Sequence, residues 1–447
     1  MSMLGLMTTE QFISDRFTNI RRQVFYFYPN GAAPLTGLLS LMRDEATNDP
    51  EFSWFEKRLS QQSSVTAAQG NGHGPFLTAA GADGGSAMTL TQDTSYQIAV
   101  ADNTQFRTGH VVKVGVVTIN SSASTTDLLF IVTTNPQSTP GVIAVRMLSA
   151  TQTLVDNTTG SNTGNEVWVV GSSFSQGSYD ITQEIYNLPQ NLGNYCQIFR
   201  TPFSMTGTAI KTGAKYDETG PYKDKAKEHS VFHMIEMEKN FIFGVQRKYV
   251  GADGLPQYTT SGILNYLKIW EAGTAYGNSV ATLDTDDNKR IITNSGGTMN
   301  EKTYEKYLER VFRVTNNLAN EKLVLCGSGF LSVINQLYKS KTTITAKQGS
   351  ATTYGMTVVQ HDTPYGTIYY KTHPLFSQNP VLRYNALFLD VPNMRYRYVE
   401  GRDTELLKNR QPNDADFRKD EWLTEAGLEI RFPESFMYLQ NVQDYVP

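Results

Sequence analysis

Charge is scarce in this chain. Only 18% of its 447 residues are Asp, Glu, Lys or Arg, and these nearly cancel, to a net −4. An ordinary soluble domain carries about a quarter charged residues. With 24 Tyr, 22 Phe and 4 Trp in the same chain, the low net charge excludes a disordered polyelectrolyte. A pI near 5.9 excludes a basic nucleic-acid clamp. Cysteine is scarcer still. Two residues, Cys196 and Cys326, rule out a disulfide framework and read most simply as buried thiols. No uncharged apolar run approaches the roughly 18 residues of a membrane span, so no membrane partner is expected. Met1 to Met7 is apolar, but no basic stretch precedes it and no cleavage pattern follows closely. The chain is therefore expected to be soluble and made in a reducing cytoplasm. Gly, Ser, Thr and Asn fill the gap left by charge. With so many aromatics, that composition points to much β structure and to broad surfaces that meet other protein.

The length suggests about three domains or sub-domains. The first stretch divides at Pro29–Asn30–Gly31. Before it, Phe12, Ile13, Phe17, Ile20 and Val24 fall near helical spacing, and after it come Leu35 to Met42 and Asp49 to Glu56. Neither piece can bury its apolar face alone. Two surface helices on the body and an arm on a neighbouring subunit both fit. From about Ser63 to Ser175 charges thin out, and β-branched runs recur between turn clusters: Val111 to Ile119, Leu128 to Thr133, Val142 to Met147 and Val167 to Val170. That spacing predicts a small β barrel or sandwich whose chain ends lie close together.

A helical pattern begins at Pro221. Tyr222 to Lys248 is the longest helix candidate, with Val231, Met234, Ile235, Phe241, Ile242 and Val245 as its apolar stripe and Gly251 as its exit. An α/β region follows. Thr298–Met299–Asn300–Glu301 reads as a capping box, Lys322 to Cys326 as a strand, and Ser328 as the cap of a second helix. Met356 to Gln360 and Thr367 to Lys371 read as a strand pair around Pro364 and Gly366. Leu387 to Val391, Met394 to Val399 and Leu428 to Phe432 are expected strands of a final sheet. Glu400 to Arg418 reads as a charged loop.

Chemistry-bearing patterns are few. His229 and His233 stand at i, i+4 on the long helix, a spacing that can hold a metal. Ser230 occupies the place where a zinc protease needs Glu, and no third ligand is evident. Gly70 to Gly74 superficially resembles a phosphate loop but has no preceding strand and no following Lys–Ser/Thr. Gly327–Ser328–Gly329, between strand and helix, has the geometry of an anion site and also that of an ordinary helix start. Asp284, Asp286 and Asp287 cluster without the closing Glu of a calcium loop. Lys223, Lys225 and Lys227 read as a solvated helix face. Arg395, Arg397 and Arg402 alternate with Tyr396 and Tyr398, so they could touch phosphate weakly or pair with acids of a neighbour. No catalytic, cofactor-binding or metal site is expected, and no enzymatic activity. An enzyme using His229 and His233 is the contrary hypothesis.

Three stretches carry a family resemblance. Asn30–Gly31–Ala32–Ala33–Pro34–Leu35, with Asp49–Pro50–Glu51–Phe52–Ser53–Trp54–Phe55–Glu56, resembles the N-terminal region of major capsid proteins of tailed bacteriophages. Asn194–Tyr195–Cys196–Gln197–Ile198–Phe199–Arg200, followed by Thr208–Ala209, resembles the segment that returns from the extended loop in one branch of that family. The order of elements is similar as well. The resemblance implies an α+β, HK-97-like capsid fold. Its parts would be an N-terminal arm (1–55), an extended loop (56–212) bearing a β insertion at about 77–172, a peripheral domain with spine helix (213–261), an axial domain (262–385) and closing peripheral strands (386–447). It also implies self-assembly into pentamers and hexamers of an icosahedral shell around double-stranded DNA, which the shell would contact weakly and non-specifically. Scaffolding, portal and decoration proteins are the other implied partners. The implied location is the virion capsid, with assembly in the host cytoplasm. A nanocompartment shell of the same fold, or a tail or decoration protein, are the alternatives.

Overall fold

The computed structural model describes residues 35, 44–57, 62–67, 74–81, 88–119, 124–134, 141–154, 162–177, 184–186, 188–212, 221–272, 289–313, 320–339, 349–353 and 356–446. The expectations for Phe12 to Val24, Asn30 to Pro34, Gly70 to His73 and the Asp284 cluster lie outside these residues. The chain divides into two compact units. One comprises 1–52, 193–266 and 291–447, and the other 53–192 with 267–290.

The second unit holds the predicted β module. Seven strands form one antiparallel sheet, in the order Ser63–Val65, Glu166–Ser172, His110–Ile119, Ser124–Val132, Val142–Met147, Ser95–Ala99 and Phe76–Thr78. A bridge between Thr66 and Val100, with Ala101 N–H donating to Val65 O at 2.9 Å, ties the first strand to the chain leaving Ser95–Ala99 and closes the sheet into a barrel. Alternate residues point inward, as strand geometry requires. Val112, Val114, Leu128, Phe130, Ile143 and Val145 are all sealed in its core. The barrel begins earlier than the expected 77. Ser63 pairs with Trp168, and Val169 N–H reaches Gln62 O at 3.1 Å, so entry and exit strands lie side by side. A fragment spanning 62–173 is accordingly expected to fold alone, with a cooperative melt by circular dichroism. Excision of only 80–172 would strip the first strands of their partners, and an aggregated remainder is expected there.

Two larger sheets lie in the first unit. In one, Asp44–Thr47, Met394–Val399, Phe417–Ile430 and Gln197–Thr206 lie in that order, with Glu405–Leu407 also paired to Phe417–Ile430. Gln197–Thr206 and Phe417–Ile430 pair antiparallel over ten residues. The other is seven-stranded, with central strands Ala386–Leu389, Glu321–Cys326 and Gly366–Thr372. Helices Glu301–Arg313 and Ser328–Lys339 cover it. Tyr304, Leu308 and Val311 from the first and Phe330, Ile334 and Leu337 from the second enter its core, as their spacing predicts.

Several expectations are corrected. Glu51–Glu56 is a strand, not part of a surface helix, and buries every second residue: Phe52, Trp54 and Glu56. Asn300, not Thr298, caps the helix Glu301–Arg313, its Oδ1 accepting from Thr303 N–H at 2.8 Å. Thr298–Met299 is a short strand. The long helix runs Pro221–Phe243 and stops five residues early, because Arg247–Val250 turns back to pair with Pro256–Thr259. Its length is therefore about 35 Å at 1.5 Å per residue. Its buried face carries His233, Met237, Glu238, Phe241 and Ile242, whereas Met234 and Val245 are exposed. Ala386–Leu389 and Met437–Gln440 belong to the seven-stranded sheet, whereas Met394–Val399 belongs to the other. Finally, Glu400 to Arg418 contains the strand Glu405–Leu407, and the last long strand starts at Phe417 rather than Leu428.

Candidate functional site

Among the described residues, the geometry assembles no reaction centre. Among the described residues no group of three or more His, Cys, Asp or Glu could hold a metal ion. No described helix is long and apolar enough to cross a membrane. His229 and His233 do share a helix face, but both nitrogens of His233 are occupied. Nδ1 hydrogen-bonds Thr201 Oγ1 at 2.9 Å and Nε2 hydrogen-bonds Thr424 Oγ1 at 2.8 Å. Burial lowers its pKa to about 4. His229 stacks on Phe203 at 5.4 Å, and burial lowers its pKa too. These are packing histidines. Cys196 and Cys326 are buried, and desolvation raises both thiols to about 12, which suppresses the reactive thiolate. Gly327 exists for backbone contact: a Cβ there would meet Arg383 O at 2.1 Å. Ser328 N–H, at the helix start, donates to Ser377 Oγ at 3.2 Å, so protein rather than an anion covers that end.

The pH dependence of His233 follows from its neutrality. Its folded pKa lies below the unfolded value of about 6.5. Between those values the unfolded chain binds the extra proton, so stability is full above pH 6.5 and falls as pH drops toward 4. A His233→Gln variant is expected to be less stable at neutral pH, with a flatter fall in urea midpoint over that window.

What the first unit does possess is a set of long-range anchors. Asn194, at the head of the resembling segment, is 1% exposed. Its Nδ2 donates to Thr260 Oγ1 at 3.0 Å and Leu428 O at 2.7 Å, and its Oδ1 accepts from Ser261 N–H at 2.8 Å. One amide thus joins the returning chain to the segment after the long helix and to the last long strand. Gly427 beside it has no room for a Cβ, which would lie 2.7 Å from Tyr195 O and 2.8 Å from the Phe52 ring. Glu238 of the long helix anchors the N-terminal region. Its Oε1 accepts from Leu35 N–H at 2.8 Å and hydrogen-bonds His373 Nε2 at 2.8 Å, with all three residues fully buried.

The third anchor is electrostatic. The strand Phe417–Ile430 buries Asp420, Glu421, Glu425 and Glu429. Arginines neutralise them: Arg418 on Asp420 at 2.9 Å, Arg200 on Glu421 at 2.7 Å, Arg402 on Glu425 at 2.5 Å, and Arg397 and Arg431 on Glu429 at 2.6 and 2.5 Å. Arg397 also reaches Glu45 at 2.8 Å, tying down the edge strand Asp44–Thr47. Arg397 and Arg402 are thus engaged by acids of their own chain. Lys225 Nζ donates to Ser204 O at 2.9 Å, while Lys223 and Lys227 are exposed. Sequence reading missed these carboxylates because a run of Asp and Glu looks solvated. The available signal was the β-prone Trp422–Leu423–Thr424 set among them, with arginines enough to pair.

The comparisons with known proteins decide the matter. The model of the SU10 major capsid protein family matches residues 7–443, nearly the whole chain. The chain belongs to the SU10 major capsid protein family. Its sequence is similar to a major capsid protein of Pseudomonas phage PaMx41, 22% identical over 386 residues, which cover 85% of this chain and 78% of that one. Among solved structures, the capsid of cyanophage A-1(L) overlaps 60% of this chain and 85% of its own at 11% identity, with a TM-score of 0.38. The SrpI encapsulin of Synechococcus elongatus PCC 7942 overlaps 59% and 79% at 9% identity, also at 0.38. Membership makes this SU10-family chain a structural subunit of a phage capsid shell, located in the virion, and not an enzyme. The three anchors tie distant segments of this shell subunit to one another.

Proposed function

We propose that this major capsid protein assembles into pentamers and hexamers of a closed icosahedral shell that encloses double-stranded DNA. The observation that carries the reading is the family match over residues 7–443. The order of elements supports it. A chain stretch anchored at Leu35 and Asp44–Thr47 serves as the arm, and the region to about 212 as the extended loop with its barrel. Pro221–Phe243 is the spine helix of a peripheral domain around the five-stranded sheet. The seven-stranded sheet, including Ala386–Leu389 and Met437–Gln440, is the axial domain. This is an HK-97-like division of labour. Scarce surface charge lowers the desolvation cost of the many modest contacts that such a shell sums. The mild acidity fits a lumen that touches DNA weakly. Scaffolding, portal and decoration proteins are the natural further partners, and the host cytoplasm the place of assembly.

Electron microscopy of the purified protein, alone and with a co-expressed scaffold, tests the proposal. Capsomers or closed shells are expected. Subunits that stay monomeric under every condition would refute it. Particles filled with protein cargo and devoid of DNA in infected cells would favour a nanocompartment instead.

A further inference from the structure

The seven-stranded sheet contains one pair of side chains that the shell reading does not use. Lys322 lies in the strand Glu321–Cys326 and Asp390 directly follows Ala386–Leu389. These strands are antiparallel neighbours, and Leu323 pairs with Leu389, which sets Lys322 opposite Asp390. Both side chains are 0% exposed, with Lys322 Nζ 2.7 Å from Asp390 Oδ2. Val324 and Phe388, two residues along each strand on the same face, belong to the apolar core. Nζ also donates to Ser435 O at 3.1 Å. Asp390 Oδ1, by contrast, is buried with no hydrogen-bond partner.

As an ion pair this arrangement is poorly made. A buried carboxylate repays its desolvation only when its remaining lone pairs are satisfied, and here one oxygen is orphaned. An amide suits the same site better. It is neutral, so its lone carbonyl oxygen costs less to bury than a charged one. Its single N–H has an acceptor already placed, Ser435 O.

We infer that Lys322 and Asp390 are a site of self-catalysed amide formation, joining two strands of one subunit through Nζ and Cγ. The condensation starts with transfer of the ammonium proton to the carboxylate, which puts a neutral amine beside a carboxylic acid. The Nζ lone pair attacks Cγ, the Nζ–Cγ bond forms and the bond from Cγ to the hydroxyl oxygen breaks. The proton lost from Nζ goes to that oxygen, which departs as water. Nothing is oxidised or reduced, and no co-reactant is required. Fixed contact between the groups supplies the effective concentration that such a condensation needs. The bond would close a loop between residues 68 apart in sequence and constrain the unfolded chain as a disulfide does.

The test is intact mass spectrometry of full-length protein purified from shells, denatured before analysis. The expected mass is the sequence mass less one water. A tryptic digest should lack cleavage after Lys322 and yield the 314–339 peptide joined to the 384–395 peptide. Asp390→Ala should return the full mass. Asp390→Asn should reach the wild-type product by losing ammonia instead of water. Folded wild-type protein at its full sequence mass, with ordinary cleavage after Lys322, overturns the inference. So does a water loss that persists in Asp390→Ala. Wild-type mass alone decides the question if the variants do not fold.

Discussion

Asn194→Ala is expected to destabilise the subunit by roughly 3–5 kcal/mol, among the largest effects of any single polar substitution in this chain. The side chain is buried and serves three partners from two distant segments. Truncation does not simply delete those bonds. It leaves Ser261 N–H sealed without its acceptor and takes one donor from Leu428 O, which keeps the Tyr266 hydroxyl at 3.0 Å; a buried unpaired group costs about 1–3 kcal/mol. Asn194→Asp sharpens the argument. It is isosteric, yet it turns the donating end into an acceptor that faces the carbonyl of Leu428. A loss at least as large as that of Ala is expected. Urea melts of the soluble subunit or capsomer, monitored by tryptophan fluorescence, would measure both. If Asp proves as stable as wild type, Asn194 is not the joint described here.

Glu238→Ala carries the second large expectation, a loss of about 2–4 kcal/mol. One carboxylate oxygen holds both the Leu35 N–H and His373 Nε2, and removing it strands two buried polar groups at once. Its signature differs from that of Asn194. Limited proteolysis should cut N-terminal to residue 44 much faster in the variant, since Leu35 loses its polar tie to the long helix. Glu238→Gln keeps one accepting oxygen and should fall between the two. Equal protection of the N-terminal region in wild type and Glu238→Ala would mean that Leu35 is held by packing alone.

Much of the fold was legible in the sequence where the signal is local. The barrel strands announced themselves by β-branched runs between turn clusters, and their inward residues follow from alternation alone. The helices Glu301–Arg313 and Ser328–Lys339 were readable from Tyr304, Leu308 and Phe330 because an exposed helix on a sheet must carry a one-sided stripe. The long helix shows where this logic fails. It was found, and Phe241 and Ile242 of its expected stripe are buried, but His233 takes a core place and Met234 does not, because the sheet beneath presents Thr201 and Thr424. A histidine with two ring nitrogens fits there better than an aliphatic side chain.

The strand Phe417–Ile430 shows the limit more plainly. Its Asp420, Glu421, Glu425 and Glu429 are charged residues by composition and core residues by position. They become buriable only through arginines such as Arg200 and Arg397, the first more than 200 positions away, and no window of sequence contains both members of that pair. The strand Glu51–Glu56 stayed ambiguous for a related reason, since Phe52 and Trp54 fit a strand while Phe52 and Phe55 fit a helical face, and six residues are too few to decide. The sequence by itself therefore determined the class of the chain, its low charge, its local elements and its family resemblance, because each depends on residues close together. Which carboxylates are buried, how Asn194 and Glu238 tie distant segments together, and that Lys322 meets Asp390 were decided only by the tertiary structure. Desolvation makes a polar group in the core tolerable only when a specific partner is delivered to it, and that delivery is an act of the whole fold.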